Sequence, residues 1–168
     1  LDLLLGALRL AVEEGVDLCF DVIGDGPDRL ALHSICQSLG LNKRVTFHGV
    51  RMGAEKEELI MRADLFVHTS RWDGMPTAVL EAAAMGLPLL VTLPTNVGHY
   101  VTTASAGFVV DELRPECIAR AIVSAAAAKH AGQLMAKGLA ARQMIIDKFS
   151  WPLVATALYE AVYSKATY

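Results

Sequence analysis

The stretch Ser70-Arg71-Trp72-Asp73-Gly74-Met75-Pro76-Thr77-Ala78-Val79-Leu80-Glu81 reads as the end of a strand, a tight glycine turn and the start of a helix at Pro76. Proline suits a first helical position, because the N–H it lacks would have no intrahelical partner there. The same step recurs along the chain. Short apolar runs at 18–23, 45–47, 65–67, 89–91 and 108–110 alternate with helical patterns near 1–14, 28–39, 54–62, 77–85 and 115–128. The runs are nearly continuous rather than alternating, as expected of parallel strands covered on both faces. This rhythm predicts an α/β fold: a doubly wound, Rossmann-like parallel sheet with helices on both faces.

A helix at 131–147 and another opened by Ser150-Trp151-Pro152 form a C-terminal helical layer. The last helix carries Val154, Leu158, Ala161 and Val162 on one stripe, which calls for a surface to dock on.

Composition narrows the function classes. The chain has 168 residues, enough for one domain, and a net charge of -3, which gives no basic face for nucleic acid. Mean hydropathy is high at +0.39, and no Lys, Arg, Asp or Glu occurs from residue 82 to residue 110. Gly86, Pro88, Pro94 and Gly98 interrupt that stretch, whereas a membrane-spanning helix needs about 20 continuous apolar residues, so it reads as buried core. Cys19, Cys36 and Cys117 are too scattered for a disulfide framework or a zinc site, and Cys19, inside an apolar run, reads as a small core residue. His33, His99 and His130 show no metal spacing. A reducing cytoplasm is the expected location, with peripheral association of the full protein at the inner face of the membrane left open.

In open α/β sheets, ligands bind outside the carboxyl ends of the strands. Here those ends are Gly24-Asp25-Gly26-Pro27, His48-Gly49-Val50-Arg51, the stretch from Thr69 to Pro76, the stretch from Thr92 to Val97, and Asp111. The helix start at Pro76 offers free N–H groups and a partial positive charge, a ready site for phosphate. Asp73 lies before that site and Glu81 about 7 Å beyond it along the helix axis.

The segment resembles the E-x(7)-E motif of the family 4, or group 1, glycosyltransferases, with Asp73 and Glu81 at the acidic positions. Other pieces follow that family's order. Gly24-Asp25-Gly26-Pro27 resembles its G-x-G-P loop, and Val45-Thr46-Phe47-His48-Gly49 its V-x-F-x-G strand. Ala63-Asp64-Leu65-Phe66-Val67 resembles the strand before the motif, residues 83–92 its A-x-G-x-P-V-V-x-T run, and Phe149-Ser150-Trp151 its F-S-W.

The resemblance implies the donor-binding domain of a two-domain, retaining enzyme of the GT-B fold. Glu81 would accept hydrogen bonds from the ribose hydroxyls of a nucleotide and Asp73 from a hydroxyl of the donor sugar. The backbone amides of the segment Gly74, Met75, Pro76 and Thr77 would receive sugar and diphosphate oxygens. Val50 and Arg51 would frame the base, and Gly24 and Gly26 would form the first loop. A nucleoside-diphosphate sugar is the implied donor and a glycan or lipid the acceptor. No metal is expected, because cations and helix N–H groups stabilise the leaving diphosphate.

Two departures from the pattern stand out. The first acid is Asp where Glu is usual. The family also places a strand ending in Gly-Arg, and a Lys-Gly pair, ahead of the helix that begins at Leu1-Asp2-Leu3, so the domain is expected to lack its first, central strand as well as the N-terminal acceptor domain. Three rival readings remain: a non-catalytic nucleotide-binding module, half of a nucleotide-sugar epimerase, and a dinucleotide-binding oxidoreductase domain. The last needs a third glycine where Pro27-Asp28-Arg29 stands.

Overall fold

Chain order in the computed structural model, which describes residues 1–163, is α1 (Asp2–Glu13), β1 (Phe20–Ile23), α2 (Arg29–Ser38), β2 (Val45–Gly49), α3 (Gly53–Met61), β3 (Phe66–His68), α4 (Thr77–Ala84), β4 (Leu89–Thr92), α5 (Gly98–Ala104), β5 (Gly107–Val110), α6 (Pro115–His130), α7 (Leu134–Lys148) and α8 (Trp151–Tyr163). The alternation of strand and helix is the one expected of the sequence. Every strand pairing is parallel.

The strands fall into two parallel groups. β1 pairs with β2, and β3, β4 and β5 form a separate sheet in that order. β1 and β3 face each other without hydrogen bonds across a slot of about 470 Å³, whose walls include Asp21, Ile23, Leu65 and Val67. One hydrophobic cluster nevertheless covers both sheets. Leu4, Leu5, Ala7, Leu8 and Ala11 of α1 and Ile118, Ala119 and Ile122 of α6 pack with Val45 of the first sheet and with Leu90 and Val110 of the second. The spacing of those α1 residues makes one apolar stripe, and burying each leucine contributes about 1.5–3 kcal/mol. The opposite face of the second sheet is closed by α4, α5 and α7 through Val79, Ala82, Ala83, Val97, Val101, Ala141 and Met144.

The uncharged stretch 82–110 supplies much of the core, with Leu89, Leu90 and Val91 fully buried in β4, while Leu93, Pro94, Asn96 and His99 are exposed. It contains a helix, α5, that was not among those expected from the sequence. That helix ends at Ser105, whose φ of 57° turns the chain back into β5.

Two expectations about side-chain burial are corrected. Cys19 is exposed and not a core residue, because β1 begins one residue later and Cys19 lies on the slot's rim; Cys36, on α2, is the buried thiol. On α8, Val154, Leu158, Ala161 and Val162 are exposed, so the stripe has no covering surface among the described residues. No helix of the described residues is long and apolar enough to cross a membrane.

Candidate donor site at the strand ends

Glycine 24 opens the first loop with a φ of +131°, a conformation that side-chain-bearing residues rarely adopt, so its identity follows from the turn. Gly26 has an ordinary φ and open space above its Cα. Its N–H donates to Asp25 Oδ1 at 2.8 Å, and Arg29 donates to Asp25 Oδ2 at 2.9 Å. The Gly26 amide, with the Arg29 guanidinium beside it, holds the Asp25 carboxyl below its ordinary pKa. Nothing lies within 4 Å of where a Cβ would stand on either glycine, so a ligand can approach both.

The segment between β3 and α4 is built on β4 and the loop that follows it. Thr92 Oγ1 accepts from the Ser70 N–H at 2.9 Å and donates to the Ser70 carbonyl at 2.8 Å. Asn96 Nδ2 donates to the Gly74 carbonyl at 2.9 Å, and the Asn96 N–H to the Asp73 carbonyl at 3.2 Å. Asp73 also forms an isolated parallel bridge with Thr95, which is buried. These bonds fix the turn before α4 begins. Pro76 is the N-cap rather than the first helical residue, and α4 starts at Thr77.

Both acids have cationic or imidazole neighbours. Asp73 Oδ2 lies 3.0 Å from His68 Nε2, with both side chains about 70% covered. Glu81 Oε2 is ion-paired with Lys56 Nζ of α3. His48 Nε2 is 2.6 Å from Asp21 Oδ1, so it belongs to the first sheet and not to the motif.

Val50 and Arg51 follow β2 and are exposed; Arg51 lies 3.7 Å from Glu55. Arg71 points instead to the start of α1, where it contacts both oxygens of Asp2 at 2.9 and 3.5 Å. That guanidinium lowers the Asp2 pKa. Trp72 is 77% exposed, with its ring edge against Gly74. No group of three or more His, Cys, Asp or Glu among the described residues is placed to hold a metal ion.

Asp73 and Glu81 stand out in the sequence by their spacing, whereas three groups that contact them do not. Lys56 lies 25 residues from Glu81, and Asn96 lies 22 residues from Gly74, separations at which no local pattern signals a contact. His68 closes β3 five residues before Asp73, and nothing in that spacing marks it as the acid's partner.

This fold and this ordered motif define a glycosyltransferase-type α/β domain, and comparison with known proteins agrees. The family described as "Glycosyl transferases group 1" matches residues 1–137, and the chain belongs to it. The GDP-mannose-dependent alpha-mannosyltransferase of Mycobacterium tuberculosis is 29% identical over 170 residues, covering 96% of this chain and 38% of that protein. The putative colanic acid biosynthesis glycosyltransferase WcaL of Escherichia coli is 29% identical over 128 residues, covering 73% of this chain and 30% of that protein. Among solved structures, Anabaena HepE in complex with UDP superposes with a TM-score of 0.81 at 21% identity, covering 96% of this chain and 44% of that one. WaaG, a glycosyltransferase involved in lipopolysaccharide biosynthesis, gives 0.72 at 24% identity, over 95% of this chain and 42% of that one. The chain therefore spans well under half the length of these relatives.

Proposed function

We propose that this chain binds a nucleoside-diphosphate sugar at the carboxyl ends of its strands, and that the full protein transfers the sugar to a glycan or lipid hydroxyl with retention of configuration. The observation that carries this reading is the fixed turn from Asp73 to Thr77, with an acid on each side of the α4 N-terminus. At the start of α4 the N–H groups of Thr77 and Ala78 have no intrahelical acceptor, and the positive helix end faces the loop, where a diphosphate is stabilised. Asp73, backed by His68, accepts from a sugar hydroxyl, and Glu81 accepts from the ribose. Carboxylates suit this task because charge-assisted hydrogen bonds are the stronger ones. Gly26, Val50 and Arg51 line the nucleotide end. Binding proceeds without a metal ion, since N–H groups and cations carry the diphosphate charge. Relatives named for GDP-mannose and solved structures holding UDP support the donor class.

The domain organisation belongs to the same proposal. The Phe66 N–H donates to the Pro88 carbonyl on the β4 side, and the Phe20 N–H to the Arg44 carbonyl on the β2 side. Along a strand these groups alternate, so the N–H and C=O of Asp21 and Val67 point into the slot. A strand preceding α1 would enter there in parallel through a right-handed crossover and satisfy both edges. An N-terminal acceptor domain precedes it, and the full protein works in the cytoplasm or at the inner membrane face.

Thermal shift with UDP-, GDP- and ADP-sugars, run with a chelator, tests the donor site in the full-length protein. A donor at 100 times its dissociation constant adds about 2.7 kcal/mol. Stabilisation only by NAD(H), or only with Mg²⁺, would overturn the reading.

A further inference from the structure

The helix α3 carries Glu55, Lys56, Glu57 and Glu58 in succession, and only Lys56 among them is turned inward. It shares a face with Leu59 and the buried Ile60, three and four residues on. That face brings its ammonium to Glu81 Oε2 on α4. The helix starts two residues after Arg51, so it links the segment assigned to the base with the acid assigned to the ribose.

We propose that Lys56 is a nucleotide-binding residue, forming with Glu81 an ammonium–carboxylate pair that receives the vicinal diol of the ribose. The proposal rests on the donor-site reading above. A diol presents two O–H donors and two oxygens able to accept. An ionised carboxylate only accepts and an ammonium only donates, so a carboxylate alone satisfies half of the diol. Lys56 engages Oε2, which leaves Oε1 to accept from a hydroxyl and two further N–H groups to donate to one. The side chains are 31% and 45% exposed, so ligand atoms can reach both.

Two other roles fit an ion pair at this position, and each predicts a different result. A plain surface pair contributes little and is indifferent to ligand. A latch that occupies Glu81 against the ribose would make nucleotide binding tighter when the lysine is removed.

The test uses the full-length protein and isothermal titration with whichever of UDP, GDP and ADP binds best, with its 2′,3′-dideoxy analogue as second ligand. Lys56→Met should weaken binding of the ribonucleotide by about ten- to a hundredfold, the range for one hydrogen bond to a charged group. Lys56→Arg should retain affinity to within about threefold, because it restores a donor of the same charge. The dideoxy analogue should bind Lys56→Met and wild type almost equally, since it lacks the groups that the lysine recognises. Unchanged or tighter ribonucleotide binding by Lys56→Met overturns the proposal. So does an equal loss for both ligands, which marks a general structural defect. If wild type binds none of the three nucleotides, the donor-site reading itself fails, independently of Lys56.

Discussion

Alanine in place of glycine 138 should destabilise this protein, although the same change in most helices stabilises. Gly138 lies in α7 against the end of α4, where a Cβ would stand 2.1 Å from the Gly86 carbonyl oxygen and 3.4 Å from Pro88 Cδ. The obstacle is backbone. Gly86 has a φ of +84° and is followed by the largely buried Leu87, so its carbonyl cannot turn away. The contact is about 1 Å short of the closest real approach, and α7 must lift. Ala141 and Met144, one and two turns on, would then lose the close cover that keeps them 0% and 4% exposed. Overpacking of this kind costs about 1–3 kcal/mol, and a rigid neighbour puts it at the upper end. The helix preference of alanine over glycine returns about 1 kcal/mol. The net loss is about 2 kcal/mol, or about 4–8 °C in Tm for a domain of this size. Gly6 in α1 is the control, because its Cβ would meet Pro115 at 3.6 Å, ordinary contact. Gly6→Ala should raise Tm by about 2–4 °C. Calorimetry on both variants decides the matter, and a Gly138→Ala protein melting at or above wild type would refute the packing argument.

Three further outcomes follow from the site. Glu81→Ala should weaken free nucleotide and nucleotide sugar alike, whereas Asp73→Ala should weaken only the sugar-linked ligand, each by about 1.5–3 kcal/mol in titration calorimetry; equal losses for both ligands in both variants would dissolve that division of roles. Asn96→Ala removes the donor to the Gly74 carbonyl and should speed hydrogen exchange across residues 72–76 while raising the donor dissociation constant; unchanged exchange would mean the turn is held by other bonds. Asp2→Asn should cost under about 1 kcal/mol at pH 7, since the pair with Arg71 is half exposed. Because Arg71 depresses the folded-state pKa of Asp2, that contribution exists above the unfolded value and fades as pH falls through the folded one. Urea unfolding at pH 7 and at successively lower pH should show the difference shrink as Asp2 is protonated in the folded state, and a difference that did not shrink in acid would point to another cause.

What the sequence made legible was order and chemistry. The runs at 89–91 and 108–110 are fully or partly covered strands because a continuous apolar run can be satisfied only beneath helices. The spacing of Asp73 and Glu81 across Pro76 was readable because a glycine turn and a proline mark a helix start locally. Pairing was not readable. A list of strands in chain order does not say which edges meet, so the pairing of β1 with β2 and the order β3-β4-β5 appeared only in the structure. The helix α5 was hidden because His99-Tyr100-Val101-Thr102-Thr103 carries poor helix formers, and burial of Val97 and Val101 overrides that preference. Cys19 was misplaced for a related reason: an apolar run gives the neighbourhood of a strand but not its first residue.

The division into two sheets also bears on how the domain opens and closes. β1–α2–β2 and β3–α4–β4–α5–β5 are each assembled from neighbours close in sequence, whereas the layer joining them pairs α1 with α6, which begin at Asp2 and Pro115. Contacts between distant segments carry the larger loop-closure cost and form late. The two strand groups should therefore behave as separate cooperative units, tied by one long-range clasp. Loosening that clasp, for instance with Leu8→Ala, should release the β1–β2 unit in hydrogen exchange while β4, enclosed between β3 and β5, keeps its protection.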